Sequence, residues 1–187
     1  MKEALKLHVG CGRRLLPGFV HIDLADYSHI DWQKDVRDLS FLGDESAELL
    51  YASHVIEYFD RTQAQEVLQN WRRVLRPGGT LRLAVPDFAA MARLYMENKD
   101  LDAYLGPLYG RMEVGNTGEV IYHKTVYDFA SLERVLNENG FGDVRRYDWR
   151  KTIHKDVDDH SQAYLPHMDK ERGTLISLNV EAAKQSQ

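Results

Sequence analysis

The sequence is nearly devoid of cysteine, Cys11 being the only one. An internal disulfide is excluded, and one thiol cannot build a zinc cluster of the multi-cysteine kind, so a reducing, cytoplasmic setting is the expectation. Excess positive charge is also missing. With 24 Lys and Arg against 29 Asp and Glu the formal net charge is -5, which removes the global positive field that draws proteins onto phosphate backbones and leaves nucleic acid an unexpected partner. No window approaches eighteen apolar residues, so no membrane span is expected. Residues 1–7 alternate charged and apolar side chains and offer no apolar core for a signal peptide. There is neither a repeat of fixed period nor a low-complexity tract. What remains is ordinary: 187 residues, 43% hydrophobic and 28% charged, the composition of one soluble domain (residues 1–187) with one core.

Along the chain, short apolar runs alternate with helical spacing. Leu5, Leu7 and Val9 lead into Gly10, Cys11 and Gly12 and read as a buried first strand; residues 19–24 form a second, ending on an acid. Residues 32–36 are a weaker third and residues 47–52 a fourth. Thr62 stands three residues before Gln65, the spacing of a capping box, and opens a helix with Val67, Leu68, Trp71, Val74 and Leu75 inward. Pro77, Gly78 and Gly79 are expected to end it before a fifth strand at 80–85. Helical spacing resumes over 88–95 and 129–139, with Gly140 at a C-cap position. Strands are expected at 144–149 and 175–180. Between the fifth strand's helix and residue 127 the pattern dissolves into glycines and tyrosines, too long for a connector, which suggests a cap over a site at about 96–127. The whole predicts a doubly wound α/β fold whose ligand crevice lies at the carboxyl ends of the strands.

The glycine turn at Gly10 and Gly12 is the first chemical signal, because glycine lets backbone approach a ligand closely. A dinucleotide fingerprint needs a third glycine where Leu15 stands and an acid about 20 residues on, whereas Asp23 follows Gly12 by only 11 positions. NAD is disfavoured. A phosphate loop fails too, since no Lys-Ser or Lys-Thr follows the glycines.

Read together, Val9-Gly10-Cys11-Gly12, Asp23, Asp35-Val36-Arg37-Asp38-Leu39, Ser53-His54-Val55-Ile56-Glu57-Tyr58 and the run from Val74 to Leu81 resemble a class I S-adenosylmethionine-dependent methyltransferase. The likeness extends over nearly the whole chain. A looser resemblance is to small methyltransferases associated with cell-surface glycan biosynthesis. It implies a mainly parallel seven-stranded Rossmann-like sheet whose last strand runs antiparallel. S-adenosylmethionine is the implied cofactor, held by Val9, Gly10, Cys11 and Gly12 under its methionine part. Asp23 and Leu24 would lie at the ribose, Asp35 and Val36 at the adenine, and Ser53, His54 and Val55 beside the sulfonium. The first crossover departs from the family, with some ten residues between strands and no room for a full helix; Pro17-Gly18 makes the turn back. Arg13 or Arg14, Arg14 by preference, would then meet the cofactor carboxylate, or both are simply solvated.

Methyl transfer from a sulfonium draws its driving force from the cofactor, so the protein mainly aligns the acceptor and excludes water. A hydroxyl acceptor would gain from a general base, and the candidates are His54, after the fourth strand, and His123, at the end of the cap. Either could instead have a purely structural role. Asp87, Tyr109, Tyr122 and His123 are candidate acceptor-binding residues, although Asp87 fits a helix cap as well. The stretch of His154, Asp156, Asp158, Asp159, His160, His167 and Asp169 matches no metal motif and reads as a solvated loop. Arg145, Arg146, Arg150, Lys151 and Lys155 beside it make a basic patch suited to an anionic acceptor or to a solvated face. The expected function is S-adenosylmethionine-dependent methylation, on oxygen, of a small-molecule or glycan-linked acceptor. The alternatives are a non-catalytic S-adenosylmethionine or S-adenosylhomocysteine binder and, more distantly, an NAD-dependent oxidoreductase. Oligomeric state is left open.

Overall fold

The computed structural model describes residues 5–115 and 118–186. Strands β1 (Leu5–Val9), β2 (Val20–Asp23), β3 (Trp32–Gln33) and β4 (Ala47–Ser53) precede helix α1 (Arg61–Val74), strand β5 (Leu75–Pro86) and helices α2 (Phe88–Asn98) and α3 (Asp102–Tyr109). A hairpin of β6 (Met112–Glu113) and β7 (Val120–Ile121) leads to α4 (Phe129–Glu138) and β8 (Phe141–Arg146). A second hairpin, β9 (Tyr164–Leu165) with β10 (Thr174–Leu175), leads to β11 (Ser177–Lys184). The main sheet has seven strands in the order β3-β2-β1-β4-β5-β11-β8. β11 runs antiparallel to both neighbours and the other pairings of this sheet are parallel, the arrangement that the family resemblance implies.

α1 buries Ala64, Val67, Leu68, Trp71 and Val74 along one stripe, the three-and-four spacing that puts apolar side chains on one helical face. Trp71 adds a hydrogen bond from its indole Nε1 to the Val36 carbonyl at 2.8 Å. α4 contributes Leu132 and Leu136 to the same core. The cap of α1 is Asp60 rather than Thr62. The Asp60 carboxylate accepts from the Thr62 and Gln63 amides and Gln63 returns the bond, because an acid in extended backbone two residues earlier satisfies the orphan amides first. The helix also ends sooner than Pro77-Gly78-Gly79. It stops at Val74, and residues 76–79 form an irregularity inside β5, whose register against β4 jumps from Ala47↔Leu75 to Leu49↔Thr80. Proline lacks an amide, but a bulge at the start of a strand tolerates it.

No helix joins β1 to β2, β2 to β3 or β3 to β4. The chain turns back at Gly18, with φ of 81°, as the short first crossover requires. One face of the sheet is therefore left without its helix. Leu49 and Tyr51, which alternate with the core residues Leu50 and Ala52, turn to that face and meet Leu16, Phe19 and Val157. Residues 149–163 lie over it. The His154 ring stacks on Tyr51 at 4.3 Å, with His8 on Tyr51 at 5.1 Å. The Tyr51 hydroxyl donates to Asp159, which also accepts from the Ser161 amide. The expected solvated loop is thus a buried cover at His154, Asp159, Ser161 and Gln162; uncovered sheet would leave apolar area in water, and this segment supplies the missing layer.

Three remaining boundaries differ from expectation. β8 starts at Phe141, directly after Gly140, because Phe141 and Gly142 are the buried positions, and Trp149 falls in a 3-10 turn. β11 runs on to Lys184, since its pairing with β5 continues through Ala183. The stretch expected to form a cap contains a helix, α3, with Pro107 inside it.

Candidate active site

The carboxyl ends of β1, β2 and β4 meet at one crevice. Gly10 and Gly12 both have positive φ, 63° and 53°. A Cβ at Gly10 would stand 2.5 Å from Val55 Cγ2, whereas one at Gly12 would meet nothing within 4 Å. Gly10 therefore lets the loop pack on the residues after β4, and Gly12 keeps bare backbone facing open space. Cys11 points inward and is buried, which pushes its thiol up to about 12. The Asp23 carboxylate is half-exposed and accepts from the Gly12 amide at 2.7 Å and the Ala25 amide at 2.8 Å. Each oxygen keeps a lone pair for a further donor. Leu24 beside it is exposed.

Asp35 is engaged by its neighbour: Oδ1 accepts from the Arg37 amide at 2.9 Å and Oδ2 from Arg37 Nε at 2.8 Å. An adenine amine would share that carboxylate with the guanidinium. Val36 is buried, its carbonyl committed to Trp71. Arg14 Nε donates to the Asp158 carbonyl at 2.7 Å, tying the glycine loop to the cover segment. Arg13 reaches Tyr27 instead. Ser53 is buried at the end of β4, and its hydroxyl has no hydrogen-bond partner among the described residues.

Past β4 the chain enters a cavity of about 650 Å³ lined by His54, Tyr58, Pro107, His123, His160 and Tyr164 among others. His54 is held at φ of 55°, a left-handed backbone that a non-glycine residue adopts at a cost and that concentrates at functional sites. Its amide donates to the Ala84 carbonyl at 2.8 Å, and its ring lies 5.1 Å from that of His160. Burial, aided by His160 and His123, holds the His54 imidazole well below the usual histidine range. Behind it sits Glu57, fully buried, with His54 Nδ1 3.3 Å and His123 Nε2 3.8 Å from its Oε1.

His123 is tied to the end of α3. Its Nδ1 pairs with the Pro107 carbonyl at 3.0 Å and its amide with the Tyr109 carbonyl at 2.9 Å. Tyr58 stacks edge-on against the His123 ring and donates to the Gly110 carbonyl at 3.0 Å. Only glycine fits at 110, because a Cβ would fall 2.0 Å from His123 Nε2.

The structure brings Gly10, Gly12, Asp23, Ser53, His54 and Val55 around the strand ends, and His54 and His123 into the cavity wall. Tyr109 and Tyr122 are exposed and outside that wall. Asp87 caps α2 by accepting from the Ala90 amide at 3.1 Å and pairs with Arg146 at 3.3 Å. The basic patch is largely paired, Arg145 with Glu181 and Arg150 with Asp148. Sequence reasoning missed Glu57 and His160 as site residues. The signal for Glu57 was its i,i+3 relation to His54 in a short turn; His160 was hidden in a stretch dismissed as loop. Among the described residues no group of three or more His, Cys, Asp or Glu is placed to hold a metal ion, and no helix is long and apolar enough to cross a membrane.

Residues 20–83, the stretch holding Asp23, Asp35 and His54, match a family described as a methyltransferase domain. Over that stretch the chain is similar to this methyltransferase family, and its whole sheet has the fold of S-adenosylmethionine-dependent methyltransferases of known structure. A methyltransferase of this kind from Methanosarcina mazei shares the fold with a TM-score of 0.57 at 15% identity, over 100% of this chain and 95% of that one. One from Archaeoglobus fulgidus does so with a TM-score of 0.58 at 15% identity, over 98% and 87%. The Burkholderia thailandensis 1,6-didemethyltoxoflavin-N1-methyltransferase, with its acceptor and S-adenosylhomocysteine bound, has a TM-score of 0.55 at 15% identity, over 98% and 72%. A comparison with curated proteins finds no match by sequence.

S-adenosylmethionine is the methyl donor of the superfamily, and the residues present fit it. The bare backbone at Gly12, the spare lone pairs of Asp23 and the unpartnered Ser53 hydroxyl lie at the carboxyl ends of β1, β2 and β4.

Proposed function

We propose that this methyltransferase transfers a methyl group from S-adenosylmethionine to the oxygen of a small or glycan-linked acceptor held in the cavity beside His54. The observation that carries the reading is the neutral histidine wall at the strand ends: His54 and His123, both below the usual histidine range through burial, line a cleft of about 650 Å³. That volume suits a single small molecule or the terminal unit of a larger one. A neutral imidazole can take a proton from a hydroxyl, which a histidine kept as imidazolium could not.

When bound, the cofactor supplies an electrophilic methyl group on sulfur. Gly10, Cys11 and Gly12 would hold its methionine part, Asp23 its ribose hydroxyls, and Arg14 its carboxylate through the guanidinium nitrogens not used on Asp158. The cap closes the acceptor side through α3 and the His123 clamp and excludes water from the reacting atoms. Support for a glycan-linked acceptor comes from the narrower sequence resemblance, and support for oxygen from the histidine wall.

Thermal-shift titration tests the cofactor half. S-adenosylhomocysteine at millimolar concentration should raise Tm and NAD should not, since a ligand that binds only the native state stabilises it by mass action. Turnover is then followed as S-adenosylhomocysteine release across sugars, nucleotide sugars, phenols and amines. Turnover with amines alone would overturn the assignment to oxygen, and cofactor binding without turnover in any class would favour a non-catalytic binder.

A further inference from the structure

Glu57 is fully buried in the 3-10 turn Ile56–Tyr58, and neither of its carboxyl oxygens has a hydrogen-bond partner among the described residues. Its turn is held from outside by the Lys124 and Thr125 amides, which donate to the Glu57 main-chain carbonyl at 2.8 and 3.2 Å. The side chains that face it are His54, Tyr58, His123 and Tyr127, all neutral at pH 7. No cation offsets a carboxylate there. A buried carboxylate without a donor is costly, whereas a protonated one can donate its own hydrogen; burial accordingly pushes Glu57 up to about 8.

The other end of His54 fixes which nitrogen receives that hydrogen. His54 Nε2 lies 3.3 Å from Ser177 Oγ. Ser177 donates its hydroxyl to Asn179 Oδ1 at 3.0 Å, and Asn179 Nδ2 donates to the Ser161 carbonyl at 2.8 Å. With its proton committed, Ser177 can only accept from His54, so His54 carries its hydrogen on Nε2 and presents a bare Nδ1 to Glu57. His123 is the weaker partner. Its Nε2 stands 3.8 Å from the carboxyl, beyond hydrogen-bond reach.

We propose that Glu57 is the positioning residue for proton removal from the acceptor: it stores a proton against His54 Nδ1 in the resting site and passes it to that nitrogen when an acceptor binds, while the hydrogen on Nε2 is lost to solvent, which leaves Nε2 bare as the base. The inference rests on the O-methylation reading and narrows it to acceptors whose nucleophilic oxygen carries a proton, alcohols and phenols, as against carboxylates. In the step, the acceptor hydroxyl takes the place of Ser177 at Nε2. The acceptor O–H bond breaks and its proton goes to Nε2; the freed oxygen pair bonds to the methyl carbon, and the pair of the broken carbon–sulfur bond stays on sulfur. Glu57, now a carboxylate, holds the Nδ1–H of the imidazolium and takes that proton back after the transfer, which restores the resting site with its hydrogen on Nε2 and leaves one proton released to solvent per turnover.

Carboxyl-carbon and imidazole-nitrogen NMR of the native protein reads the coupling without any acceptor. One glutamate should titrate near pH 8, and the His54 nitrogens should show an inflection at that same pH, absent in Glu57→Gln. No carboxyl titrating above pH 6, or a His54 response that Glu57→Gln leaves intact, would overturn the proposal. With an acceptor found among the alcohols and phenols, Glu57→Gln should lower kcat at least tenfold with KM within threefold, and should erase the inflection near pH 8 from the pH profile. S-adenosylhomocysteine affinity should stay within twofold. Should S-adenosylhomocysteine fail to bind the native protein, the methyl-transfer reading falls, whereas full turnover by Glu57→Gln sinks only the role of Glu57. The titration of the native protein needs no variant and decides the matter even if Glu57→Gln does not fold.

Discussion

Gly10 and Gly12 look alike in sequence and do different work. Both sit at positive φ, but a Cβ at Gly10 would collide with Val55 Cγ2 at 2.5 Å while one at Gly12 would enter open crevice. Gly10→Ala should therefore cost about 2 kcal/mol of stability through strain and overpacking combined, read as a lowered urea midpoint. Gly12→Ala should cost about 1 kcal/mol yet weaken S-adenosylhomocysteine binding at least tenfold, read by titration calorimetry, because its methyl group occupies the approach to the backbone. Asp23→Ala should also lose binding while leaving the fold intact; unchanged affinity would remove its assignment to the ribose. These residues were legible because a glycine turn followed by an acid at a strand end is a local pattern. Glu57 was not. Its meaning depends on the absence of any partner for a buried carboxyl, and burial of that kind is created by the cap more than sixty residues later in the chain.

At the level of elements, strand identities could be read from apolar runs and the antiparallel last strand from the family resemblance, while the strand ends could not. The reason is visible at α1, where two capping patterns overlap: Thr62 with Gln65, and Asp60 with Gln63. The structure uses the second, since Asp60 satisfies both the Thr62 and Gln63 amides. Asp60→Ala should destabilise the protein by about 1 kcal/mol, and Thr62→Ala by a few tenths at most; equal effects in a denaturant series would contradict this capping. The β5 irregularity at 76–79 shows the same limit. Arg-Pro-Gly-Gly reads locally as a stop, and only pairing with β4 on both sides of it reveals that the strand has already begun.

For the whole molecule, the decisive fact is a sheet that lost its first helices and covered the gap with residues 149–163. The cover is joined through Tyr51, whose hydroxyl donates to the buried Asp159. Tyr51→Phe leaves that acceptor short of a donor and should cost about 1–3 kcal/mol. Several histidines meet in these interiors. His8, His54, His123 and His154 are all below their ordinary value, mainly through burial, His154 at about 4. The unfolded chain takes up protons near pH 6.5 that the folded chain refuses, so stability is present above that pH and falls as the pH drops toward 4. Glu57 acts in the opposite sense between about 4.5 and 8, where the unfolded state has already released its proton. Four groups outweigh one. The Tm should fall between pH 7 and pH 5, and His154→Phe should flatten that slope; a Tm independent of pH over this interval would refute the account.

The cover segment also sets an order of events during synthesis. Leu16, Phe19, Leu49 and Tyr51 leave the ribosome long before Val157 and Asp159 exist to shield them, and β11, the strand between β5 and β8, comes later still. The nascent chain thus carries an apolar surface and an unfilled slot in its sheet until β11 emerges. The sheet therefore closes only once β11 has emerged, and until then the chain is a natural client for chaperones that hold such chains apart.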